Sequence, residues 1–134
     1  KEYFDMDMTR IKAKYVYLDG DSNQIDGDYV SYHVFGRPRY KANFNKGKII
    51  GKVKEYHANG QVKLEGEYIN GKKEGEFIEY YTTGEKKIQY ICKNGLKQGQ
   101  VIAYSPAGTV IQKGVYENDK IKGVFYKFSF WCNV

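Results

Sequence analysis

The sequence predicts an all-β protein: an elongated antiparallel meander of stacked β-hairpins in 24-residue repeats, forming a single open twisted sheet. Three observations carry that expectation. Aromatic residues of the strand-favouring kind dominate, with 14 Tyr and 7 Phe against three leucines, Leu18, Leu64 and Leu96. Fifteen glycines in 134 residues supply frequent reversals. Above all, the chain repeats itself: Gly27, Gly51, Gly75, Gly99 and Gly123 stand at a constant step of 24.

Other columns keep the same step. Tyr32, Tyr56, Tyr80, Tyr104 and Phe128 follow each of these glycines by five residues, and Gly36, Gly60, Gly84 and Gly108 follow the first four by nine. Within the unit at 51–74, Ala58-Asn59-Gly60-Gln61 and Ile69-Asn70-Gly71-Lys72 both carry Asn-Gly, the dipeptide that tolerates the positive φ of two-residue hairpin turns. Strands of roughly six to eight residues fit between such turns. In the second strand Val62, Leu64, Gly66 and Tyr68 alternate with Lys63, Glu65 and Glu67, a period of two with one dry face and one wet. The first strand is less regular. Val53 and Tyr56, like Phe77 and Tyr80, lie three apart, which calls for a bulge between them or for two partly covered faces. The glycine opening each unit is expected to leave room for a neighbouring ring.

A single repeat domain is expected over 1–134, with a degenerate unit at 1–26, four repeats at 27–122 and a C-terminal cap at 123–134. The aromatic run Phe125-Tyr126-Lys127-Phe128-Ser129-Phe130-Trp131 belongs to that cap, covering the last edge.

The phrases GKVKEYHANG (51–60), GEFIEYYTTG (75–84) and YINGKKEG (68–75) resemble MORN repeats, and more closely the variant repeat of the bacterial YwqK-like proteins. Gly51, Glu55, Tyr56, Gly60, Tyr68, Asn70, Gly71 and Gly75 carry the match, over about residues 15–128. Cys92 replaces the tyrosine in the third unit; Ala103 and Asp119 replace the glutamate and the turn glycine in the fourth, which leaves that turn open. The resemblance implies stacked hairpins used for protein or membrane-surface contact, with relatives labelled antitoxins or associated with the cell envelope.

Candidate sites lie where the pattern breaks. Asp19, Asp21 and Asn23 match the first three ligand positions of a calcium loop, but Gln24 and Val30 occupy the places of its glycine and last glutamate, so a solvated turn over 19–28 is the plainer reading. No metal or other cofactor is expected. His33 and His57 share one column, continued by Tyr81 and Ser105; two strand spacings, roughly 10 Å, keep them from one metal ion. Cys92 and Cys132 fall about 14 Å apart in the meander, so two free thiols are expected, with Cys92 buried.

The net charge is +6. Residues 1–26 carry −2, whereas 27–50 carry +4 through Arg37, Arg39, Lys41, Lys46 and Lys48 against Asp28. These five side chains suit an acidic partner or anionic lipid, with nucleic acid the least favoured; the plain reading is that they guard sheet edges. The column Tyr32, Tyr56, Tyr80 and Tyr104 is read as core first and as a contact surface second.

No motif places a catalytic acid, base or nucleophile, so a non-enzymatic protein-binding repeat is expected, antitoxin-like or a cell-envelope accessory. The alternative is a membrane-surface or anionic-ligand binder acting through the basic second repeat. No run of eighteen apolar residues suggests a transmembrane helix. An exported or envelope location is expected, with the cytoplasm as the alternative; the start at Lys1 fits a mature exported chain or a trimmed one.

Overall fold

The computed structural model describes the backbone of residues 2–4, 11–18 and 21–127 and the side-chain surroundings of residues 26–122. Eleven strands form one open antiparallel sheet in chain order. They are β1 (Glu2–Phe4), β2 (Ile11–Leu18), β3 (Asp21–Tyr32), β4 (Pro38–Asn45), β5 (Lys48–Tyr56), β6 (Val62–Ile69), β7 (Lys72–Tyr80), β8 (Lys86–Lys93), β9 (Leu96–Tyr104), β10 (Val110–Glu117) and β11 (Lys120–Lys127). Ten strand spacings give a ribbon of about 48 Å. Of the expected cap at 123–134, residues 123–127 belong to strand β11, and 128–134, including Cys132, lie outside the described residues.

The hairpins alternate between two kinds of turn. Along one long edge, Lys46-Gly47, Asn70-Gly71, Asn94-Gly95 and Asn118-Asp119 all have positive φ at both residues, the primed two-residue turn. Asp119 keeps that turn at φ 68 without being glycine. Its carboxylate Oδ1 accepts from Lys97 N at 2.7 Å and its own N–H donates to Lys97 O at 3.0 Å, which offsets the cost of the left-handed conformation. Along the other edge the turns are longer than expected. At 57–61 only Gly60 has positive φ; His57 N donates to Gln61 O at 2.8 Å and Gly60 N donates to His57 O at 3.0 Å. Asn59 contributes otherwise: its side-chain oxygen caps Gln61 N at 2.9 Å.

Consecutive hairpins are also tied at their ends. Gly71 N donates to Ile49 O, Gly95 N to Lys73 O and Asp119 N to Lys97 O, at 2.8–3.0 Å. Each primed turn therefore hydrogen-bonds to the strand that follows the preceding turn.

The first-strand irregularity has a definite cause. Asn43 pairs with Ile50 and Lys41 with Lys54, so Gly51–Val53 bulge opposite the single Ala42. Gly75–Phe77 bulge likewise opposite Gly66. Gly51, Gly75 and Gly99 have φ of 71, 82 and 90°, values that favour glycine. From Val53 to Glu55 the pairing with β6 is regular, so Val53 and Tyr56 face opposite sides and both faces are partly covered.

The core is one-sided. Val53, Phe77, Tyr90, Cys92, Val101 and Ala42 are buried on one face, flanked by Tyr40, Phe44, Leu64, Tyr68, Ile88 and Tyr116. Phe77 is 0% exposed although the described residues form a sheet with no second layer. Tyr90 stacks on it at 5.8 Å and 13°, Tyr68 meets it edge-on at 5.8 Å, and Lys73 lies over its ring at 5.0 Å. Room for the ring comes from Gly66, where an added Cβ would sit 2.2 Å from Phe77 Cε1. The unit-opening glycines Gly51, Gly75 and Gly99 have open space there instead, so they serve backbone conformation and not ring clearance.

Gly66→Ala is expected to cost about 1–3 kcal/mol through overpacking. Urea denaturation checks this, and the cost should shrink in a Phe77→Leu background because the two sites couple. An unchanged cost there would mean that Phe77 is not the obstacle.

Candidate functional site

The faces of the sheet differ in chemistry. Opposite the core face runs an outer face bearing Tyr56, Tyr80 and Tyr104. Contrary to their expected share in the core, these tyrosines and Tyr32 are half-buried and stand outside the buried cluster. Each of the three lies beside a polar residue fifteen positions earlier. Lys41 Nζ sits over the Tyr56 ring at 5.7 Å; Tyr80 O–H donates to Glu65 at 2.5 Å; Tyr104 O–H donates to Gln89 at 3.2 Å. The rings are thus pinned while part of each remains open to solvent. Burial first, then the Glu65 bond and the charges of Glu65 and Glu76, push the Tyr80 hydroxyl up to about 12.

Charge on this face falls in bands. Lys41 on β4 and Lys52 and Lys54 on β5 form a basic band; Glu65 and Glu67 on β6 and Glu74 and Glu76 on β7 form an acidic one. Lys52 is in register with Glu67 and Lys54 with Glu65. Yet among the described residues the ion pairs are Lys63–Glu55 at 3.6 Å and Lys122–Glu117 at 3.8 Å, so the bands face solvent. A shallow depression of about 410 Å³ opens between them over Gly66 and Gly75. Lys52, Lys54 and the four glutamates were not singled out by the sequence reading, because their meeting depends on strand register.

The five basic residues of the second repeat are not gathered into one patch. Arg37 and Arg39 lie at the edge holding the longer turns, Lys46 and Lys48 at the edge holding the primed turns, and Lys41 midway along β4 on the outer face. Seven residues from Arg39 to Lys46 span roughly 23 Å of strand. Arg37 and Arg39 instead flank an apolar turn: Val34 is 68% and Phe35 87% exposed. The sister turns carry Ala58-Asn59, Thr82-Thr83 and Pro106-Ala107 there, a difference visible in the repeat alignment.

The histidines join hairpins. His33 Nε2 lies 2.8 Å from Tyr56 O and His57 Nε2 2.9 Å from Tyr80 O; as the carbonyl accepts, Nε2 carries the proton in both. Tyr81 O–H donates to Tyr104 O at 2.8 Å from the next place in the column. The column is thus a row of side-chain latches between units.

At the front, the structure corrects the expected turn over 19–28. Strand β3 begins at Asp21, with Leu18 paired to Asp21 and Tyr17 to Ile25, so Ser22–Gln24 are extra residues bulged within the strand. Asp19 lies outside the described residues, and no cluster of metal-ligating side chains occurs among those described. Cys92 is a free, buried thiol, its pKa raised chiefly by burial. No helix among the described residues is long and apolar enough to cross a membrane.

Residues 49–70 match the family model of the MORN repeat variant. The match covers the second strand pair of the regular array and supports a MORN-type repeat protein. No curated protein matches the chain.

Tyr40, Tyr80 and Tyr90 all have hydroxyls raised from 10.0 to about 12, with burial the first cause in each. Between those values the folded chain holds protons that the unfolded chain releases, so their contribution is complete below pH 10 and is lost as pH rises through about 12. Phenolate absorbance should show a late-titrating subset of tyrosines, and urea stability should fall across the same window. A titration in which every tyrosine ionises near pH 10 would contradict these placements.

Proposed function

We propose that this chain acts by binding, presenting the outer face of its ribbon to a protein partner. The observation that carries the reading is the row Tyr56, Tyr80 and Tyr104: pinned, part-exposed rings beside banded charges that have no ion-pair partner among the described residues. Tyrosine held in one conformation offers contact area at small entropic cost, and tyrosines are frequent binding hot spots. The neighbouring Lys and Glu bands would set orientation and encounter rate more than affinity. Nothing in the arrangement calls for catalysis. Antitoxin-like and cell-envelope accessory roles both fit such a surface, and an exported or envelope location remains our preferred placement over the cytoplasm.

The test is site-specific photo-cross-linking in the native source. A photoreactive phenylalanine analogue at Tyr56 or Tyr80 should capture one discrete partner, whereas the same group at Thr83 on the edge turn should not. Tyr80→Ala should weaken the isolated complex at least tenfold, about 1.4 kcal/mol. Equal capture from Thr83, or an unaffected complex, would count against the outer face.

A second reading is favoured by the Val34-Phe35 turn beside Arg37 and Arg39, which pairs apolar tips with cations as membrane-surface segments do. Co-sedimentation with phosphatidylserine vesicles should fall about tenfold or more in Arg37→Glu/Arg39→Glu, and should fall again in Phe35→Ala. Binding that is equal for neutral vesicles, or insensitive to these changes, would remove this reading.

A further inference from the structure

Two successive bulges repeat each other in backbone and oppose each other in charge on the outer face. Gly51–Val53 bulge opposite Ala42, and Gly75–Phe77 bulge opposite Gly66. A depression lies over each. The first, about 270 Å³, is lined by Lys41, Lys52 and Lys54; its one carboxylate, Asp28, already accepts from Asn43 Nδ2 at 2.9 Å. The second, about 410 Å³, is lined by Glu65, Glu67, Glu74 and Glu76, with Lys52 and Lys54 on the ridge of β5 between the two. The repeat makes the change of sign explicit. The column Lys41, Glu65, Gln89 and the column Lys52, Glu76, Gln100 both run from cation to anion to amide at a step of 24.

Neither depression balances its own charge. Lys41 stands directly opposite Lys54, and Glu67 directly opposite Glu74. Like charges facing each other across strands are destabilising. Glu65, Glu74 and Glu76 each accept one hydrogen bond, from Tyr80 O–H at 2.5 Å, Asn94 N at 2.8 Å and Gln89 Nε2 at 2.6 Å. Those donors are neutral, and each leaves the second carboxylate oxygen open. Among the described residues no ion pair joins any of these lysines or glutamates, and Lys52, Lys54, Glu67 and Glu76 are exposed.

An occupant that relieves both depressions must present anions and cations in the reverse order, about 10 Å apart. A lipid surface or a nucleic acid carries an excess of one sign and meets only one of them. The outer face of this same chain carries both at that spacing. We propose that a second copy of the chain docks on the outer face, the two copies related by a two-fold axis parallel to the strands and running between β5 and β6. Register fixes what then meets. Lys52 pairs across β5 and β6 with Glu67, and Lys54 with Glu65. Rotation about that axis therefore sets Lys52 of each copy above Glu67 of the other and Lys54 above Glu65, and it lays each basic depression over an acidic one. Such an axis carries one twisted sheet onto another of the same twist strand by strand, so the faces stay aligned as packed sheets do, about 10 Å apart. The dimer rests on the outer-face reading above and names its partner.

The experiment is sedimentation of the unmodified full chain from about 10 µM to about 1 mM, at low and high salt. A dimer is expected whose affinity falls at least tenfold between about 0.05 and about 0.5 M sodium chloride. Carbodiimide treatment of mixed isotopically light and heavy chain should yield mixed-isotope peptides joining Lys52 or Lys54 to Glu65 or Glu67. Lys52→Glu/Lys54→Glu and Glu67→Lys/Glu76→Lys should each be monomeric, and an equimolar mixture of the two folded variants should dimerise again. A chain that stays monomeric, a dimer indifferent to salt, links between copies that avoid these bands, or a variant mixture that stays monomeric would each overturn the proposal. The salt series and the cross-links use the unmodified protein, so they decide the matter even if a variant fails to fold. A monomeric chain whose photoreactive group at Tyr56 still captures a different protein would overturn the second copy as partner while the outer face stands.

Discussion

A sheet without a second layer has to cover its apolar side chains with side chains from its own strands. That constraint shapes most of what is particular about this chain. Phe77 reaches complete burial because the preceding strand offers the bare backbone of Gly66, the following strand lays Tyr90 flat on the ring, and Lys73 lies over it. Long amphipathic stems do what a facing sheet would do elsewhere: Lys73 and Lys97 put methylenes and ammonium groups over rings while keeping their charge near water. Tyrosine outnumbers leucine for the same reason, since a ring can lie along its own sheet and still present a hydroxyl to solvent or to a partner.

The same constraint explains which parts were legible in the sequence. The 24-residue step, the meander and the primed turns at Asn70-Gly71 and Asn94-Gly95 depend on local chemistry, and each was readable from a few adjacent residues. The longer turn at 57–61 was read only in part, because Asn59-Gly60 looks like Asn70-Gly71 until the backbone pairing is known. Ring clearance was expected at the unit-opening glycines but lies at Gly66, eleven residues before Phe77 and on the neighbouring strand. The bulge opposite Ala42 and the latches from His33 and His57 are likewise properties of register. Even the alternation that places Tyr56 outside rather than inside could be settled only once Val53–Glu55 was seen to pair regularly with β6.

What is particular to this chain shows where one unit departs from its sisters. The repeat makes every position comparable with others 24 or 48 residues away, so an odd residue stands out against an internal standard. Val34-Phe35 differ from three polar or small turns, and Ala42 and Ile49 stand where Tyr90 and Lys97 stand two units later. Both departures lie within the second repeat, which was singled out for its charge. Its five cations turn out to be distributed over two edges and one face, so they do not form a single patch.

The stacking of the primed turns has a chemical consequence for the lifetime of the molecule. An Asn-Gly sequence in a flexible chain ages readily, because the glycine nitrogen attacks the asparagine side-chain amide and the ring that forms opens to isoaspartate. In this ribbon the attacking nitrogens of Gly71 and Gly95 are held by the carbonyls of Ile49 and Lys73, and that of Gly60 by the carbonyl of His57. Each must break its bond before the reaction can begin. At Asn70-Gly71 and Asn94-Gly95 deamidation is therefore coupled to the parting of neighbouring hairpins, whereas at Asn59-Gly60 it needs only the opening of its own turn, and isoaspartate accumulating at the first two would serve as a slow clock of how often the stack opens.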